Sequence, residues 1–144
     1  MPSLNEEILL DGAKETVFTE IVTIDFMKDL DSNFGFNTKI LFQNQRLIRS
    51  LSKVDRIGDV EIERIIIPET FTIITQRRPP MAPFIYQLTI QILCDYKKGT
   101  LLKWINEFEL DEDNKPREEM IVSIIRKNDI LNLQKTQKYM NKRP

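Results

Sequence analysis

Residues 84–109 restrict the fold more than any other part of the chain. Phe84, Tyr86, Leu88, Ile90, Ile92 and Cys94 alternate with Ile85, Gln87, Thr89, Gln91 and Asp95. Beyond Lys97-Lys98-Gly99, the residues Leu102, Trp104, Asn106 and Phe108 alternate with Lys103, Glu107 and Glu109. Side chains of a strand point to opposite faces in turn, so the pattern predicts a long antiparallel hairpin with one buried and one wet face. Phe84 to Cys94 and Leu102 to Phe108 are expected on the buried face. Ile85, Leu93, Leu101 and Ile105 interrupt the other face, where they would form a dimerisation patch or simply be scattered exposed residues.

Upstream, residues 4–10 predict a first strand, ended by Asp11-Gly12. Ala13, Val17, Phe18 and Ile21 then follow helical spacing, with Asp11 placed to cap. Ile24, Met27 and Leu30 predict a second short helix capped by Thr23 or Asp25, ending in a loop at 31–35. Strands are expected over 46–54 and 58–67 around the turn Asp55-Arg56-Ile57-Gly58, and over 70–78 after Pro68-Glu69. The run from Arg78 to Pro83 contains Pro79, Pro80 and Pro83 and must be a loop, since proline lacks the donor a paired strand needs. On 58–67 one face would carry Val60, Ile62, Arg64 and Ile66, the other Glu61, Glu63, Ile65 and Ile67. Neither is clean, so the inward face stays open.

A long helix closes the chain. Pro116 suits its first turn, Glu118 and Glu119 its positive end, and Lys135, Lys138, Lys142 and Arg143 its negative end. Ile121, Ile124, Ile125 and Leu131 share a face, while Ile130, Leu133 and Met140 sit on another. The phase slips near Lys127-Asn128-Asp129, so the helix either bends or buries two faces in turn. It is the one element long enough to cover the sheet. The expectation is a two-layer α+β domain over residues 1–144: six or seven antiparallel strands, two short helices after the first strand, and a long C-terminal helix.

Composition narrows the chemistry. The 144 residues are 41% hydrophobic and 30% charged, enough for one packed core without disulfides. With 21 basic and 22 acidic residues the net charge is −1, which argues against nucleic acid as a partner. The chain has no histidine and one cysteine, Cys94. Histidine-based triads and ordinary zinc sites are therefore excluded, and no metal or cofactor is expected. The N-terminus lacks the basic start of a secretory signal, and no apolar run approaches the ~20 residues of a membrane span. Cytoplasmic residence without membrane insertion is expected. Asp111 to Asn114 lacks the glycine and distal glutamate of a calcium loop.

The element order resembles that of the START-like, or Bet v 1-like, superfamily, which includes polyketide cyclase/dehydratase and lipid-transport proteins. Gly58-Asp59-Val60-Glu61-Ile62-Glu63-Arg64-Ile65 followed by Pro68-Glu69-Thr70-Phe71 resembles its strand and proline turn. Lys98-Gly99-Thr100-Leu101-Leu102-Lys103-Trp104 resembles its Gly-Thr hairpin, and Asn132-Leu133 to Met140 the end of its last helix. Residues 37–50 depart from the pattern. The resemblance implies a helix-grip fold, a curved sheet around the last helix with a cavity between them, and binding of a hydrophobic ligand or lipid. It transfers no catalytic residue.

The expected cavity lining is Tyr86, Leu88, Ile90, Leu102, Trp104, Asn106 and Phe108 from the hairpin, with Ile121, Ile124 and Ile125 from the helix. A core filled by these same residues is the plainer alternative. Asn106 is the most informative, because a buried amide left unpaired costs about 1–3 kcal/mol and so must have a partner. Glu63, Arg64 and Arg78 are candidate polar or mouth residues, and Arg77 with Arg78 would suit an anionic head group. Three functions follow as expectations: binding of a small hydrophobic or amphipathic molecule; a cyclase or dehydratase using Tyr86, Asn106, Arg64 or Glu63; or a protein-interaction domain. The chain would act as a monomer or homodimer.

Overall fold

The computed structural model describes residues 3–32, 37–54, 58–80 and 82–141. The 33–35 part of the expected loop, turn residues 55–57, Met81, and Lys142 with Arg143 lie outside them. The first strand, β1 (Ser3–Leu10), is followed by α1 (Lys14–Ile21) and α2 (Ile24–Ser32). Six strands come next: β2 (Asn37–Gln43), β3 (Leu47–Val54), β4 (Gly58–Ile67), β5 (Thr72–Arg78), β6 (Phe84–Tyr96) and β7 (Gly99–Leu110). A 3-10 turn at Lys115–Arg117 leads into α3 (Glu118–Asn141). All strand pairs are antiparallel, in the order β1-β7-β6-β5-β4-β3-β2.

Local chemistry explains most boundaries. The Phe26 N–H donates to Thr23 Oγ1 at 3.1 Å, so Thr23 caps α2 as its position suggests. Asp11 does not cap α1; Ala13 occupies that place without a side-chain bond. The second helix runs on through Asp31 and Ser32, where a loop was expected. Strand β2 was not anticipated, because its apolar residues do not alternate cleanly; Leu41 and Phe42 are exposed beside a bulge. Gly99 starts β7 where β1 passes close: a Cβ there would stand 2.6 Å from the Leu10 carbonyl oxygen. The next residue, Thr100, is fully buried and donates to the Gly12 carbonyl at 2.8 Å. Packing and tethering thus account for the Gly-Thr pair.

One irregularity reverses part of the expected pattern. Phe84 pairs with Leu110, but Tyr86 pairs with Glu109, so β6 holds one extra residue against β7. A bulge of this kind flips every later side chain to the other face. Phe84 does point inward, its ring 5.6 Å from that of Phe108. Beyond the bulge the inward residues are Gln87, Thr89, Gln91 and Leu93, opposite Phe108, Asn106, Trp104 and Leu102. Tyr86, Leu88, Ile90, Ile92 and Cys94 lie on the convex face. The expected parity of β7 is the observed one.

The last helix corrects a second expectation. Its buried positions are Ile121, Ile125, Asp129, Leu133, Thr136 and Met140, a single stripe three or four residues apart. The phase does not slip; a carboxylate occupies a core position. The interior is accordingly divided. One apolar cluster gathers Leu10, Val17, Phe18, Phe26, Leu102, Leu133 and others around α1 and α2. A smaller one holds Leu4, Phe108, Leu110, Ile121 and Ile125. Each fully buried large side chain contributes about 1.5–3 kcal/mol.

Candidate functional site

Between the two clusters lies a cavity of about 270 Å³, bounded by the concave sheet, α2 and α3. Its floor follows from strand register. Arg64, Thr75, Thr89 and Asn106 stand side by side on β4, β5, β6 and β7. Arg77 and Gln87 flank this row on one side, Gln91 and Trp104 on the other. Ile21, Phe26 and Leu30 wall one end, and Ile125, Asn128, Asp129 and Asn132 project from α3. A second depression of about 490 Å³ near the β2–β3 turn is more open, and no ionisable side chain lines it.

Asn106 organises the centre. It is 2% exposed, and its Nδ2 donates to both Asp129 carboxylate oxygens at 2.7 and 2.6 Å. Its Oδ1 accepts from Thr89 Oγ1 at 2.8 Å and from Gln87 Nε2 at 3.4 Å. The required partner of the buried amide is therefore a set of side chains. Burial pushes the Asp129 carboxyl up to about 6; the Asn106 donor and the Trp104 indole pull it down, and the charge of Glu6 raises it. The Trp104 N–H acts on the Asp129 carboxylate as a donor, although the buried Nε1 completes no hydrogen bond of ordinary geometry among the described residues.

Two guanidiniums border the same space. Arg64 settles the open parity of β4, since it lines the cavity together with Ile62. Arg77 lines it too; its pKa is lowered by burial alone, with no acid or hydrogen bond acting on it. Arginine keeps its proton in proteins, so Arg77 is a charge held within the fold without a counter-ion among the described residues.

The expected lining residues are distributed as follows. Trp104, Asn106 and Ile125 line the cavity, as does Arg64. Leu102 and Phe108 point inward but are packed in the two clusters, as is Ile121. Tyr86, Leu88 and Ile90 are on the opposite face because of the bulge, and Ile124 is 52% exposed on the outer side of α3. Glu63 is convex, where Gln76 Nε2 donates to it at 2.7 Å and Arg78 lies 3.9 Å away; neither enters the cavity. Reading by residue type missed Thr75, Gln87, Thr89, Gln91 and Asp129. The available signal was the apparent slip at Asp129, four residues from both Ile125 and Leu133. No described helix is long and apolar enough to cross a membrane.

No family model and no curated protein matches the sequence. Solved structures do. The Zhui aromatase/cyclase from Streptomyces sp. R1128 superposes with a TM-score of 0.75 at 13% identity, over 99% of this chain and 94% of that one. Ara h 8.0201 gives 0.74 at 12%, over 99% of both chains. The Aha1 dimer structure from Colwellia psychrerythraea gives 0.68 at 13%, over 97% of this chain and 96% of that one. Likeness at such identities concerns the fold: a seven-stranded antiparallel sheet gripping a long C-terminal helix, which is the START-like, Bet v 1-like fold.

Proposed function

We propose that residues 1–144 form one START-like domain that binds a small amphipathic molecule between the concave sheet and α3. The observation that carries this is the cavity itself, which gathers guanidinium, amide and hydroxyl groups of the sheet and a carboxyl group of α3 around one space. Ligand sites typically combine apolar surface with a few placed polar groups. The lining is more polar than the hydrophobic stripe expected from sequence. A bare hydrocarbon would leave several of these groups unpaired, at about 1–3 kcal/mol each. An occupant with polar ends fits better. Cys94 is a free thiol, which suits the cytoplasm.

The chain's one tryptophan lines the cavity, so its fluorescence reports occupancy. Screening acids, phenols and fatty acids should yield ligands that change this signal in a saturable way. Ile62→Phe, which fills part of the space, should abolish the response while leaving the fold intact by circular dichroism. Binding that survives this substitution, or no binder in the panel, would end the proposal.

One observation favours turnover as a second reading. Asp129 carries a carboxyl raised to about 6 and faces the cavity beside Asn106 and Trp104, the placement a neutral-pH acid or base requires. Of the residues first considered for a cyclase-like reaction, Asn106 and Arg64 remain in position; Tyr86 and Glu63 do not, and Asp129 takes over the proton. A carboxyl titrating near 4 by NMR would remove this reading.

A further inference from the structure

The unsatisfied groups of the cavity differ in charge from end to end, and the difference specifies an occupant. Arg77 is a cation with no acceptor among the described residues. Its neighbour Arg78 turns outward toward Glu63. Asp129, the carboxylate lining this space, is held by Asn106. Arg77 is thus open to an anion brought into the cavity from outside the chain.

The other end asks for a different group. Trp104 is 6% exposed, and its N–H acts on Asp129 but completes no hydrogen bond of ordinary geometry among the described residues. It needs an acceptor, but a second carboxylate beside Asp129 would be repelled. A hydroxyl meets both demands, accepting from the indole and donating to the carboxylate. Arg77 and Asn106 stand two strand spacings and two residues apart, about 12 Å at the backbone. The volume of about 270 Å³ lies just below the ~300–1,000 Å³ of common ligand pockets, which suits a single ring and not a lipid chain.

We propose that the occupant is a small hydroxylated carboxylic acid, its carboxylate on Arg77, its hydroxyl between Trp104 Nε1 and Asp129, and its apolar body against Phe26, Leu30 and Ile125. This assignment rests on the cavity being a binding site. Phenolic acids of one ring are the simplest members of the class.

Calorimetric titration with para-hydroxybenzoate and the longer para-hydroxyphenylacetate, each beside its methyl ester and its dehydroxylated analogue, tests it. At least one of the two acids should bind at least tenfold tighter than its ester and than the analogue without hydroxyl. Arg77→Gln should erase the preference for acid over ester and keep the preference for the hydroxyl. Trp104→Phe should do the reverse. Equal binding of acid and ester to the wild type, or discrimination unchanged by Arg77→Gln, overturns the assignment. So does inorganic phosphate binding tenfold tighter than either acid. Esters that bind as well as acids, with binding lost in Ile62→Phe, would leave the cavity a site of another class. No response to any probe would remove both this assignment and the binding function.

Discussion

Arg64, Thr75, Thr89 and Asn106 form a row on the concave face; Ile65, Ile74, Ile90 and Ile105, each one residue away, form a row on the convex face. Leu47 on β3 extends the second row to five strands. The concave row lies under α2 and α3, whereas the convex residues are only half-buried by one another. Cross-strand β-branched pairs contribute roughly 0.2–1 kcal/mol each, so the outer row supports the sheet without a covering layer. The inner row does the opposite: it places polar groups where burial is costly and must pair them. A fold optimised for stability alone would exchange the two. Under the proposed binding function, the concave row is kept for what it binds.

The largest effect should follow from breaking the inner pairing. Asn106→Leu preserves volume but leaves the Asp129 carboxylate and Thr89 hydroxyl without their partner. A buried charge stripped of its partner costs about 3–5 kcal/mol. Urea denaturation at pH 7 should show a loss of this order, falling at pH 5 as Asp129 takes up a proton. A loss below 1 kcal/mol, indifferent to pH, would mean that the inner row is not coupled to Asp129.

Asp129 itself gives the next effect. Its carboxyl titrates at about 6 in the folded protein against an ordinary value of 3.8. The native state therefore binds the proton more tightly, and stability falls as pH rises from about 4 to about 6. Burial is the main cause and Glu6 works in the same direction, while Asn106 and Trp104 work against it; Arg64 and Arg77 line the same cavity. Asp129→Asn removes the titration. Relative to that variant, the wild type should lose about 2 kcal/mol between pH 4 and pH 7. Parallel stability curves for the two proteins would contradict this.

Much of the fold is legible in the sequence, because β7, α1 and α2 follow clean periods and α3 carries clear end signals. The contrast between the two faces is not. Leu88, Ile90 and Ile92 read as core because apolarity is the usual guide to burial. The guide fails on β6 for two physical reasons: a bulge near Ile85 shifts the parity, and the inward positions are occupied by glutamines and threonines that bond across strands. Neither leaves a local mark that could be told from an ordinary wet face. Asn106 was legible, since its parity on β7 was unambiguous. Asp129 was half-legible, as a break in helical phase whose cause lay in the site and not in the helix. Arg77 and Arg78 are adjacent on a strand, so one of them had to face in; which one depended on a register that only the whole sheet defines.

Arg77 separates function from stability on the concave face. Without a counter-ion it should contribute nothing to folding, and burial of its charge should detract. Arg77→Met retains the aliphatic stem and removes the charge. In ligand-free protein it should be neutral or stabilising by up to about 1 kcal/mol, the usual sign for a binding residue replaced by one that packs. A loss above 1 kcal/mol by thermal or urea denaturation would show that Arg77 has a structural partner, and would weaken the case for an external anion.

The smallest effect belongs to the convex row. Ile74 sits at its centre, between Ile65 and Ile90, and is only half-buried. Ile74→Thr keeps the β-branch and strand propensity and removes part of the apolar contact. Its cost should stay below about 1 kcal/mol, well under the several kcal/mol expected at Asn106. The comparison between faces depends on this difference. A cost of 2 kcal/mol or more, with a concentration-dependent melting temperature, would mean that the isoleucine row is covered by a second copy in solution. The convex face would then be as dry as the concave one, and its apolar residues would be explained by assembly instead of by pairing within the sheet.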